Sequence, residues 1–397
     1  MKKIFRFPLY MAMGALLATS MAACSDSDDD DDFEATREAA LKPAVVAFVN
    51  NTVISTYTKM ADASMELYTK CQAIQSAYNN SKLTSDIIVD AGKSWNKARI
   101  QWELSEAFLF GVAGEHGVNV DGHIDTWPVA KSSVDNILNN ASIMAEIKKK
   151  GAAGLPSEEG VLGFHGVEAL LFQLNSSGDK SEPHTTDYSA NEVVYLVAIA
   201  EDLMNQCILL EAYWTGVSNI TNTTKKAIAN KLTFDHPELM NYGSKMINAG
   251  SNETYKNYLG AAQAIIQGCA DIAEEVGNQK IGKPVNGASE DDKKYIESPY
   301  SLNSIADFTD NIQSIKNAYQ GTNSGDASVS DYIKSVDPKL DKKVKDAIQN
   351  ALDIIGKIPE PFAKSAPTNS DAKKAITVVG KDLVDVLGEA FQALSKN

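Results

Sequence analysis

The run VVYLVAIAEDLMNQCILLEAYW, residues 193–214, decides the fold class. Leu196, Ile199, Leu203 and Leu210 recur at helical spacing, and neither glycine nor proline interrupts them. The same period returns on both sides. Leu41, Val45, Phe48 and Val49 form one stripe, with Pro43 read as part of a first turn. Helical character then runs from about Thr52 to Tyr78, with a break predicted near Asn50-Asn51, and from about Lys82 to Phe110. Trp127-Pro128 opens a further helical stretch toward Lys150, and Val161–Leu174 reads helical despite Gly163 and Gly166. Downstream, helices are predicted at Thr223–Lys231, Tyr255–Val276, Ser304–Tyr319, Ser328–Val336, Pro338–Ile355 and Asp371–Leu394. No run of alternating strand residues competes with them. The reading is an all-α protein whose amphipathic helices cover one another in bundles. A length of 397 residues suits two domains better than one. The predicted division is an N-terminal helical bundle over 35–185 and a C-terminal one over 186–397, both four-helix-bundle-like, with a layout compatible with duplication.

The N-terminus reads as an export and anchoring segment. Lys2, Lys3 and Arg6 precede an apolar stretch from Phe7 to Met21, which ends in Ala22-Ala23-Cys24. That stretch is too short and too sharply closed for a stable membrane span. It resembles a bacterial lipobox, which makes residues 1–23 a lipoprotein signal peptide and Cys24 the lipidated first residue of the mature chain. Residues 24–34 follow as an acidic tether, with Asp26 and Asp28–Asp32 expected to repel one another and stay extended. The acid run also resembles the export signals of surface-displayed lipoproteins of Bacteroidota. The predicted location is the outer membrane, with the protein at the cell surface or otherwise at the periplasmic face.

Charge and cysteines narrow the classes further. The chain carries 52 acids against 37 bases, a net charge of −15, which argues against a nucleic-acid surface. Beyond Cys24 there are Cys71, Cys207 and Cys269, widely spaced and without a CxxC, so no disulfide scaffold is expected. The sequence has no HExxH, GxSxG, P-loop or dinucleotide-binding fingerprint.

One polar constellation stands out: Gly163-Phe164-His165-Gly166-Val167-Glu168, followed by the apolar Ala169-Leu170-Leu171-Phe172. On a helix His165 and Glu168 share a face. The imidazole can ligate a metal, with Glu168 ligating beside it or orienting it from behind. A core histidine satisfied by a glutamate is the plain alternative. A second group, Arg99, Glu103 and Glu106, lies on one helical face at i, i+4 and i+7 and reads either as solvated decoration or as a buried network. Between them, Asp125 or Thr126 is predicted to cap a helix that has Pro128 in its first turn, while Asp121, His123 and Asp125 could also ligate. His116 is a spare candidate. His184 and His236 look incidental.

Taken in order, these segments resemble the imelysin family, also grouped as peptidase family M75 and related to iron-regulated and periplasmic iron-uptake proteins. Gly163, His165 and Glu168 match its GxHxxE signature. Trp95-Asn96-Lys97-Ala98-Arg99, Trp102-Glu103, Glu106-Ala107-Phe108 and Ile124-Asp125-Thr126-Trp127-Pro128 look like further landmarks. So do Ile272–Val276, Glu297-Ser298-Pro299-Tyr300-Ser301, Asp307-Phe308 and Asn311-Ile312. The resemblance implies two helical domains with a site near their interface. It puts His165 and Glu168 first, with Arg99, Glu103 and Trp127 beside them, and Ser298 and Asn311 from the second domain. Glu115, His116 and His123 fall in a variable-looking loop and are discounted.

Two activities follow from the resemblance. One is binding of iron, or of an iron-bearing ligand, in uptake, with an outer-membrane partner. The other is metal-dependent peptide hydrolysis, in which His165, Glu168 and Glu103 are the candidates for holding iron or zinc and for activating water. A non-catalytic surface interaction module is the third class.

Overall fold

The structure is a computed structural model that describes residues 27–114, 117–118, 120–156 and 160–396, with side chains from residue 32 onward. The signal segment, Cys24, Glu115 and His116 lie outside the described residues. The chain is predominantly α-helical. The helices that build and surround the site are labelled in chain order: α1 (Ser27–Ala47), α2 (Ser55–Asn79), α3 (Ser85–Glu103), α4 (Gly163–Leu171), α5 (Ala190–Thr215), α6 (Tyr258–Glu274), α7 (Ser304–Gln320), α8 (Pro338–Ile355) and α9 (Val384–Ala393).

Helix α5 is the quoted core run. Ser189 and Glu192 close a capping box at its start, satisfying backbone donors that would otherwise be orphaned. It is long and apolar enough to cross a membrane, but most of it is buried inside the protein. It packs chiefly on α2, which packs in turn on α3, and the short α4 lies against both α3 and α5. Helices α6, α7, α8 and α9 form a second packed group, and α1 lies over α6. The two groups meet where α3 and the following turn Glu106–Phe108 touch α6 and α7. By its contacts α5 therefore sits with the N-terminal helices, and α1 with the C-terminal ones, across the boundary read from the sequence.

Several local expectations are corrected. The acid run is not extended: the backbone of Asp28–Asp32 lies in the first turns of α1. Pro43 lies well inside α1 rather than in its first turn. There is no break at Asn50-Asn51; the chain passes through a π-helical stretch, Phe48–Ile54, directly into α2. Trp127-Pro128 opens no helix, since the next ones are Lys131–Asn139 and Ala141–Lys150. Helix α4 stops at Leu171, and Phe172–Leu174 pairs antiparallel with Ser181–Pro183 as a small hairpin. Its turn is closed by the Asn175 side chain, which accepts from the amides of Asp179 and Lys180 at 3.0 and 3.2 Å.

Cys71, Cys207 and Cys269 are buried and free. Burial pushes all three thiols up, Cys207 to about 12, so they behave as small core hydrophobes.

Candidate functional site

Helix α3 brings the first residues. Trp95 donates from Nε1 to the carbonyl of Phe164 at 2.9 Å, which fixes α3 against the start of α4. One turn on, Arg99 points into the interior with no solvent exposure. Such a group must be paired. Its guanidinium meets four carboxylates: Asp125 through Nη1, Glu103 and Glu297 through Nη2, the latter at 2.8 Å, and Asp307 through Nε at 3.3 Å. Burial works against the charge, but the carboxylates outweigh it and hold Arg99 well above its ordinary range.

Asp125 is not a helix N-cap. It follows the short turn Asp121–Ile124, and its side chain faces inward. Trp102 Nε1 donates to its Oδ2 at 2.8 Å, Arg99 pairs with its Oδ1, and His165 Nε2 lies 3.1 Å from the same Oδ1. Burial would raise this carboxyl, yet Arg99 and His165 more than offset it and leave it well below the usual carboxylate range.

Helix α4 supplies His165 and Glu168. Its entry requires Gly163, whose φ is +68° and where a Cβ would lie 2.1 Å from the carbonyl oxygen of Ile124. His165 Nδ1 is 3.0 Å from Glu168 Oε2. Burial and Arg99 lower the imidazole, but Asp125 and Glu168 overcome them and push it up to about 9. Nε2 makes no hydrogen bond of acceptable geometry, despite its approach to Asp125.

Glu168 is committed elsewhere. Its Oε1 accepts from the amides of Tyr300 and Ser301 at 3.0 and 2.8 Å and from Ser301 Oγ at 2.8 Å. The loop that makes this cradle carries two non-glycine residues with positive φ, Ser298 and Leu302. With Oε2 on His165, the Glu168 carboxylate sits behind the imidazole and ties α4 to the loop before α7.

The C-terminal half closes the cluster. Lys280 lies on a π-helical stretch, Glu275–Ile281, with its Nζ 3.0 Å from Glu297, 3.7 Å from Glu103 and 3.8 Å from Glu106. It also stacks over the Trp127 ring at 5.1 Å. Ser298 Oγ donates to Asp307, and Asn311 donates to Glu103. Burial pushes Glu103 and Glu106 well above the carboxylate range against the pull of Arg99 and Lys280, and it raises Asp307 to about 6. Arg99, Lys280 and His165 are basic groups placed among the carboxyl groups of Glu103, Glu106, Asp125, Glu168, Glu297 and Asp307.

Three overlapping groups place ligand atoms within 4.8 Å of one another: Asp125, His165 and Glu297; Glu103, Glu297 and Asp307; and Glu103, Glu106 and Asp125. The donor chemistry distinguishes them. In the second, the Arg99 guanidinium already contacts all three carboxylates. In the first, His165 Nε2 and Glu297 Oε2 are buried without hydrogen-bond partners, and a metal ion would satisfy both.

The structure gathers Arg99, Glu103, Glu106, Trp127, His165, Glu168, Ser298 and Asn311 into one buried region. It leaves out His123, which pairs with Asp202 at 3.1 Å, His184, which stacks on Tyr188, and His236, which pairs with Glu238 in an exposed loop. The sequence favoured a capping role for Asp125, with ligation as its alternative, and Lys280 was passed over entirely. Glu297 and Asp307 figured only as parts of motifs.

Asp310, one turn from Asp307 on α7, shows the electrostatic pressure on this region. Burial and the Asp307 charge raise its carboxyl to about 7, with Arg99 opposing. An acid raised by folding stabilises the fold at low pH, and that contribution is lost as pH rises through its folded value. Stability should therefore fall between pH 4 and 7. Asp310→Asn should flatten this dependence and gain on the order of 2 kcal/mol at pH 8, after screening of its partly exposed carboxyl. Urea midpoints at pH 5 and 8 would check it, and equal midpoint shifts at both pH values would refute it.

A family model for imelysin, peptidase family M75, matches residues 53–389. Iron-regulated protein A of Synechococcus elongatus is 27% identical over 353 residues, covering 87% of this chain and 81% of the relative. The crystal structure of an iron-regulated protein A precursor from Parabacteroides distasonis superposes with a TM-score of 0.74 at 25% identity, covering 90% of this chain and 96% of that one. An imelysin-like protein from Psychrobacter arcticum, 14% identical, shares the fold with a TM-score of 0.54 and covers 94% and 96% of the two chains.

Proposed function

The chain belongs to the imelysin family, and from that premise we propose that it binds iron, as an ion or within a small iron-bearing ligand, at an extracytoplasmic surface as part of iron uptake. The observation that carries this reading is the convergence of Asp125, His165 and Glu297 with two buried ligand atoms, His165 Nε2 and Glu297 Oε2, that lack hydrogen-bond partners. Imidazole with carboxylates suits iron and zinc. The names of the Synechococcus and Parabacteroides relatives support iron over zinc. Glu168 then acts by holding the imidazole rather than as a ligand.

Burial favours a small occupant. His165 is 1% exposed and Glu103 fully buried, so an extended peptide could not lie against them unless the two helix groups parted. Hydrolysis of such a peptide is the weaker reading on that ground.

The helix packing supports two bundle domains, one around α2, α3 and α5, with the short helices Thr223–Ala229 and Tyr242–Ile247 still packed on α5, and the other around α6 to α9. For location we propose lipidation at Cys24 and display at the outer membrane, with an uptake partner in that membrane. The basic, apolar and small-residue order of the N-terminus supports the anchor.

The test is elemental analysis of the purified protein, followed by titration with ferrous iron and with zinc, beside His165→Ala. Stoichiometric iron binding that the variant loses by about a hundredfold is expected, because a ligand is removed outright. Equal binding by both proteins would place the metal elsewhere. No binding by either, with both folded, would end the metal reading.

A further inference from the structure

Arg99 and Lys280 neutralise the same cluster in different ways. Arg99 holds four carboxylates through a planar fork. Lys280 has one close contact, Glu297 Oε1 at 3.0 Å, while Glu103 and Glu106 stand at 3.7 and 3.8 Å, outside hydrogen-bonding distance. Its ammonium thus compensates charge with little geometric commitment, on a flexible stem.

Glu297 is where this matters. Its Oε1 is shared by Lys280 and Arg99 and its Oε2 has no hydrogen-bond partner, and the residue belongs with Asp125 and His165 to the candidate ligand group. A divalent cation arriving at Glu297 meets the Lys280 ammonium directly, and two cations a few ångströms apart in a buried site repel strongly. The lysine has somewhere to go: the face of Trp127 is already within cation–π range, and Trp127 and Glu106, each 7% exposed, lie at the edge of the cluster nearest solvent. The backbone beneath is fixed. Gly277 packs so closely on Gly380 that a Cβ there would lie 2.2 Å from the Gly380 amide nitrogen. With the helix fixed, any displacement of the ammonium falls to the side chain.

We propose that Lys280 is a resident counterion that an incoming cation displaces from Glu297, so that the site binds reversibly at an affinity this lysine holds down. The proposal rests on the metal-binding reading and adds to it a residue that opposes binding. Its test is anaerobic titration with ferrous iron, and separately with zinc, of the wild-type protein, Lys280→Met, Lys280→Gln and Lys280→Arg. Circular dichroism and melting curves, with and without metal, accompany each. Both neutral variants should bind at least about tenfold tighter than wild type, show a larger metal-induced rise in melting temperature, and be less stable without metal. Lys280→Arg should bind no tighter than wild type. Wild-type binding with equal or weaker binding by a folded neutral variant would overturn the proposal and leave the metal site standing. Absence of binding in all four folded proteins would overturn both.

Discussion

Arg99→Met should destabilise the protein by on the order of 4 kcal/mol at pH 8. The methionine fills much of the volume but leaves Asp125, Glu103, Glu297 and Asp307 without the charge that holds them together. The penalty should shrink on acidification. Asp125, held below the usual range partly by Arg99, loses its stabilising contribution only below its unfolded value of about 4, so in the wild-type protein it stays ionised from pH 8 to pH 5. In the variant, buried carboxyls that have lost their counterion become neutral by protonation, and a neutral carboxyl needs none. Urea midpoints of both proteins at pH 8 and pH 5 measure this. A penalty that is the same at both pH values would mean that packing, not charge, accounts for Arg99.

Glu168→Ala should cost about as much, for a different reason. The substitution strands the amides of Tyr300 and Ser301, the Ser301 hydroxyl and the Nδ1 proton of His165, which converge on a fully buried carboxylate. Each buried unmade bond costs roughly 1–3 kcal/mol, less whatever the loop recovers by relaxing. Metal affinity should fall about 10- to 100-fold as the imidazole loses its orientation. Glu168→Gln separates the two effects. Its carbonyl oxygen can still accept from the loop, while its amide nitrogen cannot accept from His165. It should recover most of the stability and little of the affinity. Unchanged melting of the alanine variant would show that the loop finds other partners.

The helical class was legible because long amphipathic periods speak for themselves, and α5 is the clearest of them. His165, Glu168, Arg99 and Glu103 were legible because short helical spacings put each pair on one face. What escaped depends on contacts between distant residues. Asp125 sits where local chemistry reads as a cap, before Thr126 and Pro128, and only the arrival of Arg99 and Trp102 turns it inward. Lys280 escaped because a lone lysine on a helix is ordinarily solvated, and the π-helical stretch that carries it departs from the α-period used to assign faces. The hairpin at Phe172 escaped because three-residue strands carry no periodic signal.

The cradle of Glu168 joins residues more than 130 positions apart, and the bond from Arg99 to Asp307 joins residues 208 apart. Closures over such separations come late in folding, because chain entropy must be surrendered before they are rewarded. Neither half alone contains the whole site, and a nascent chain that ends before Glu297 lacks one member of the ligand group and two of the four carboxylates around Arg99. A chain threaded unfolded across a membrane therefore carries no formed ligand set with it. On the proposed route of export, the site therefore meets its ion in the medium in which the chain finishes folding, and not in the pool of ions where the chain was made.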